Sequence, residues 1–194
     1  MSLNIGGMRV ALDGALEGVF ADMRREFSAF FDSLVQGDIL RLDGSNAVAE
    51  LHELTNRESL DVVPNTPAFY VIFSDFKVDG SPSRLMLSDG RRAIYRGEGA
   101  TARYRLESHL FNTAYEAGFD GRRASKDKFS ENYYGACLKI KEDESGIDID
   151  DEPYSRARWA VLVVRLPRST SVIRKQAELA FDNRFRRPAA SREI

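Results

Sequence analysis

The chain has 194 residues, 43% hydrophobic and 30% charged, with a formal net charge of -2. That profile fits one globular domain, or a domain with an appendage, and excludes a disordered chain. A single cysteine, Cys137, and only two histidines, His52 and His109, exclude an internal disulfide and a Cys/His structural zinc.

In chain order, Leu16, Phe20, Met23, Phe27, Phe30 and Leu34 recur at alternating spacings of 4 and 3, which predicts a long amphipathic helix over Met8–Leu34. Phenylalanines on such a face suit a groove on the chain's own domain. The same seam can also pair two copies, so a homodimer through this helix is one partner expectation. Ser45 stands as an N-cap before a second predicted helix, Asn46–Leu54, built on Val48, Leu51 and Leu54. Residues 1–66 are therefore read as an amino-terminal helical appendage, closed by the proline-bearing stretch Asp61–Pro67.

Ala68–Phe73 (AFYVIF) is a continuous aromatic and β-branched run and predicts a buried strand with Tyr70 on the face of Ala68 and Ile72. Asp79-Gly80 and Asp89-Gly90 signal turns, with short strands expected at Arg84–Leu87 and Ala93–Arg96. Thr101 caps a predicted helix from Ala102 to about Ala117, with Leu106 and Leu110 inward and Arg105 and His109 beside them. Residues 118–157 carry little pattern and are read as an insertion. It holds one apolar piece, Ala136–Ile140, and an acidic run, Glu142–Glu152, taken as a solvated loop. Trp159–Leu166 predicts a strand stopped by Pro167, and Ser169 or Thr170 caps a last helix from about Val172 to Phe185. The expected architecture is a small α/β (α+β) module: a three-stranded, mainly antiparallel sheet flanked by helices. No apolar run reaches the ~20 residues of a membrane span, and no leader pattern opens the chain, so the expected location is cytoplasmic.

Three chemistries compete for the middle of the chain. Gly97-Glu98-Gly99-Ala100-Thr101-Ala102 matches G-x-G-x-x-A between a strand and a helix, with Asp120 further on, which would suit dinucleotide binding. The strand before it is short and follows a hairpin turn, unlike the parallel repetition that such a fold needs. No G-x-S-x-G elbow supports a serine hydrolase. Phosphoryl chemistry fits better. Arg105 can grip phosphate oxygens through its planar fork, His109 and a tyrosine can position or deprotonate water, and a carboxylate can hold a hard cation.

Phe69-Tyr70 on the first strand, Tyr95-Arg96-Gly97 on the second, and Arg105 and His109 on the following helix resemble the GIY-YIG nuclease module. Their spacings are similar to those of its homing-endonuclease branch. The resemblance runs from about Pro67 to Ser191 and takes in Ala177-Glu178-Leu179 on the last helix, similar to the family's metal-binding glutamate. The chain departs from the pattern at Ala68-Phe69, at Arg96, where isoleucine is usual, and at Ser191, near the usual asparagine.

The resemblance implies a metal-dependent endonuclease cutting nucleic acid, with DNA as the first expectation and RNA as the second. Tyr70, Tyr95, Arg105 and His109 would be its catalytic residues, and Glu178, with Glu142 as the competing choice, would hold Mg²⁺ or Mn²⁺. Arg184, Arg186, Arg187 and Arg192 would meet the nucleic-acid backbone. The alternative is the same fold with an inactive site, used for binding or assembly.

Overall fold

The computed structural model describes residues 5–36, 39–40, 48–80, 82–112, 138–140 and 146–191. Helix α1 (Ile5–Leu34) leads into a two-residue antiparallel pair, β1 (Val35–Gln36) and β2 (Ile39–Leu40). Strands β3 (Ala49–Leu54), β4 (Ala68–Ser74) and β5 (Arg92–Gly99) follow, then α2 (Ala102–Leu110), β6 (Trp159–Arg165) and α3 (Ser171–Phe185). Short 3-10 turns occupy Arg57–Val62 and Tyr154–Arg156. The main sheet has the order β3-β6-β4-β5, and every neighbouring pair is antiparallel.

The fold is thus a mixed α/β module with an antiparallel sheet flanked by helices, but with four strands where three were expected. The extra strand is β3, which replaces most of the helix expected over Asn46–Leu54. The three-residue spacing of Val48, Leu51 and Leu54 imitates a helix. Yet the burial of this segment alternates, Ala49 and Leu54 are its fully buried ends, and its backbone pairs residue by residue with β6 from Ala49↔Val164 to Leu54↔Trp159. An open strand edge supplies backbone partners that a short helix's local propensity does not outweigh. The segment expected as an appendage therefore gives the sheet an edge strand and one of its covering helices.

Strands β4 and β6 are covered on both faces, which is why their sequences read as unbroken apolar runs. One face packs Phe69, Val71, Phe73 and Leu162 against Phe31 and Leu34 of α1 and Phe181 and Phe185 of α3. Phe31 is the hub, with ring centroids 5.4 Å from Phe69, 5.8 Å from Phe181 and 6.0 Å from Phe185. Phe181→Ala is expected to cost about 3–5 kcal/mol. Urea unfolding followed through the single tryptophan, Trp159, which is buried in the sheet, measures that loss. The other face packs Ala68, Tyr70, Ile72, Val161 and Val163 against Leu106 and Leu110 of α2, with Leu138, Ile147, Ile149 and Tyr154 from the expected insertion closing the layer. On α1, Leu12, Leu16 and Val19 stay exposed.

Several expectations fall wholly or partly outside the described residues: Ser45 as a cap, the helix beyond 112, Asp120, Ala136 and Cys137, Glu142 and Arg192. The Arg84–Leu87 strand reduces to an isolated bridge, Met86↔Arg92. Among the described residues no helix is long and apolar enough to cross a membrane.

Candidate active site

The site lies where β4, β5 and α2 meet. Tyr70 comes from the middle of β4, and its residue partner across the ladder is Gly97. Tyr95 is brought to the same face by a bulge in β5. Ile72 pairs with Tyr95 while the next residue, Phe73, pairs with Ala93, so Ile94 is the extra residue. Without that insertion Tyr95 would share the face of Ala93, which packs toward α1 and α3; with it, Tyr95 packs on the α2 side.

Helix α2 is held by the segment before Pro67. The Ala102 N–H donates to the Thr66 carbonyl at 3.2 Å, Arg103 Nε to the Val63 carbonyl at 2.8 Å, and Arg57 Nε to Glu107 Oε1 at 2.6 Å. Glu107 is thereby engaged by Arg57. Thr101 occupies the N-cap position of α2 without a side-chain capping bond. The anchoring rests on these longer-range contacts.

Tyr70 and His109 are both buried, and the Tyr70 hydroxyl lies 2.9 Å from His109 Nε2. Arg105 hydrogen-bonds the same hydroxyl. A guanidinium only donates, so the phenol oxygen accepts from Arg105, and the direction of its bond with Nε2 follows the tautomer of His109. Burial pushes the Tyr70 hydroxyl well above the ordinary phenol range; the neighbouring Tyr95 adds to this, while the charge of Arg105 opposes it. The Tyr70 phenol therefore keeps its proton at neutral pH. The half-buried Tyr95 ring stands 4.7 Å from the His109 ring and 6.4 Å from that of Tyr70.

The two glycines of the second motif make this cluster possible. A Cβ on Gly97 would fall 2.7 Å from the Tyr70 hydroxyl and 2.9 Å from Tyr95 Cε1, and one on Gly99 would fall 2.8 Å from Arg105 Cγ. Both glycines lie inside β5, not in a turn. The backbone loop that a dinucleotide reading needs is here a paired strand.

Alternation along β5 sends Arg96 and Glu98 to the opposite face, against α3. Thr170 caps that helix, accepting from the Ile173 N–H, and Glu178 and Asp182 stand one turn apart on it. Arg96 Nε and Nη2 donate to Asp182 Oδ1 and Oδ2 at 3.0 and 2.6 Å, and Nη1 donates to Glu178 Oε1 at 3.1 Å. Glu98 pairs with Arg174 Nε at 2.6 Å. Thus the structure brings Tyr70, Tyr95, Arg105 and His109 together and places Glu178 across β5 from them, its charge still felt by the Tyr70 hydroxyl.

Burial pushes the Glu178 carboxyl up to about 7; Arg96 opposes the shift, and Glu98 and Asp182 reinforce it. The paired fork of Arg96 faces Asp182, so Glu178 receives only its third arm. A carboxyl raised above its ordinary 4.5 favours the folded state at low pH, and that contribution is lost as pH rises through about 7. Wild type should lose up to ~3 kcal/mol relative to Glu178→Gln between about pH 5 and pH 8, read from paired urea unfolding curves.

A divalent ion at Glu178 is what the resemblance implies. As placed, this carboxylate is only 6% exposed and already carries a guanidinium. The donor set does not fit a metal except in exchange for Arg96.

Arg184 pairs with Asp32 of α1 and lies over the Phe185 ring, so it joins the two helices. Arg186 is exposed just past α3, where it takes a positive φ of 64°, and Arg187 is half-buried. Ser191 closes the free edge of β5: its hydroxyl accepts from the Arg96 N–H at 2.8 Å, and the Ala190 N–H donates to the Ile94 carbonyl at 3.2 Å. The sequence reading missed Asp182 as the main partner of Arg96; its signal was a second carboxylate four residues after Glu178. No protein-family model, curated protein or solved structure matches the chain.

Proposed function

We propose that the chain is a phosphodiesterase acting on nucleic acid, with DNA as the expected substrate and Tyr70, Tyr95, Arg105 and His109 as its reacting cluster. The observation that supports this reading most is the hydrogen-bond series Arg105–Tyr70–His109 with the half-buried Tyr95 against the same imidazole. Such a mixture of phenol, imidazole and fixed cation around one point is uncommon as mere packing. Tyr95, the more accessible phenol, releases its proton to solvent and, as the phenolate, orients the attacking water and takes one of its protons while the water oxygen bonds to phosphorus and the P–O bond to the leaving sugar oxygen breaks, that oxygen being protonated from solvent. Arg105 lowers the cost of negative charge on that phenol and on the phosphorus-bound oxygens in the transition state. Tyr70 holds Arg105 and His109 in register. Arg186 and Arg187, beyond α3, supply backbone contacts.

A second reading, binding without cutting, is favoured by one observation: Glu178 is held by Arg96. A fluorescent DNA duplex, scored for both retention and cleavage, separates the two. The first reading expects retained and cut duplex, with cutting lost in Tyr95→Phe while retention persists. Retention with intact duplex in wild type, across Mg²⁺, Mn²⁺ and chelator, replaces it with the second.

A further inference from the structure

Arg96 is 3% exposed and sits in a strand whose backbone is committed on both sides. Val71 pairs with it across the ladder, and Ser191 takes its N–H on the outer edge. Its side chain enters a patch of three carboxylates, Glu98, Glu178 and Asp182. Glu98 is met by Arg174, whose Nη1 is also fixed on the Ser169 carbonyl at 2.6 Å. That leaves Arg96 as the cation between Glu178 and Asp182. A buried guanidinium persists only when its donors are answered, and here Nε, Nη1 and Nη2 each reach a carboxylate oxygen. A divalent ion entering the same space would bring a second positive charge beside a buried guanidinium.

We propose that Arg96 is the resident cation of this site: it occupies the Glu178–Asp182 carboxylates in the place of a divalent ion, so the unaltered chain binds no Mg²⁺ or Mn²⁺ there, and shortening Arg96 opens a metal site. The significance of this for the reaction rests on the phosphodiesterase reading. The charge at this edge of the cluster is then a permanent part of the chain and not an exchangeable ion.

The test is Mn²⁺ binding, read by loss of the free-ion electron paramagnetic signal and by the change in melting temperature with Mn²⁺. It needs no cutting, so its failure leaves the phosphodiesterase reading to its own assay. Wild type is expected to show no saturable site and no thermal shift that Glu178→Gln abolishes. Arg96→Gln is expected to gain a saturable site and a Mn²⁺-dependent rise in melting temperature, both lost in Arg96→Gln/Glu178→Gln. If Arg96→Gln folds only with Mn²⁺ present, that supports the same conclusion. A saturable Mn²⁺ site in wild type that disappears in Glu178→Gln overturns the proposal. So does an Arg96→Gln chain that folds without binding Mn²⁺, or one that stays unfolded with and without it.

Discussion

Arg105→Ala is expected to lower DNA cleavage by about 100- to 1,000-fold while the protein still folds, the scale seen when one fixed donor to a developing negative charge is removed. The side chain is half-buried, its aliphatic part crosses Gly99, and its guanidinium reaches the Tyr70 hydroxyl. Removing it takes one donor from that oxygen while the bond to His109 remains, a stability cost of about 1 kcal/mol. Single-turnover cleavage alongside a thermal melt checks both halves. Arg105→Lys should recover little, because an ammonium cannot hold the phenol and a phosphate oxygen with one rigid fork. A large loss of stability with unchanged cleavage by the surviving folded fraction would assign Arg105 to the scaffold instead.

Gly97→Ala is expected to have an effect of similar size by a different route. The new methyl would meet the Tyr70 hydroxyl at 2.7 Å, Tyr70 Cζ at 2.8 Å and Tyr95 Cε1 at 2.9 Å. Tyr70 is buried and tied to His109, so it cannot move without leaving its hydrogen bond. A displacement of about 1 Å at a reacting cluster costs roughly 100-fold in rate, and the overpacking about 1–3 kcal/mol in stability. Gly18→Ala is the control: nothing lies within 4 Å of its added methyl in α1, and a glycine-to-alanine change inside a helix should gain about 0.5–1 kcal/mol. Cleavage by Gly97→Ala equal to that of Gly18→Ala would remove the reason given for the glycine.

Much of this arrangement was legible in the chain because local and tertiary preferences agree there. The unbroken run of Ala68–Phe73 predicts a strand covered on both faces, and the four-residue step from Arg105 to His109 places both beside Leu106 and Leu110. Thr170 marks the start of the last helix, as its bond to the Ile173 N–H requires. The failures have separate physical causes. β3 looked helical because three apolar residues happened to fall three apart, whereas the deciding partner, the edge of β6, lies more than a hundred residues away in sequence. The facing of Tyr95 depends on a bulge, and simple alternation would have grouped it with Ala93. Arg96 looked like a misfit in a motif because its meaning lies in α3, where Glu178 and Asp182 receive it.

Conversion of supercoiled plasmid to open circle by the purified chain, run with wild type, Tyr95→Phe and Arg105→Ala in parallel, decides whether this cluster cuts DNA. Wild type is expected to convert the plasmid and both variants to lose nearly all conversion, with melting temperatures close to that of wild type. Cutting that survives in both variants, or a wild type that leaves plasmid intact with Mg²⁺, Mn²⁺ and chelator alike, would contradict it.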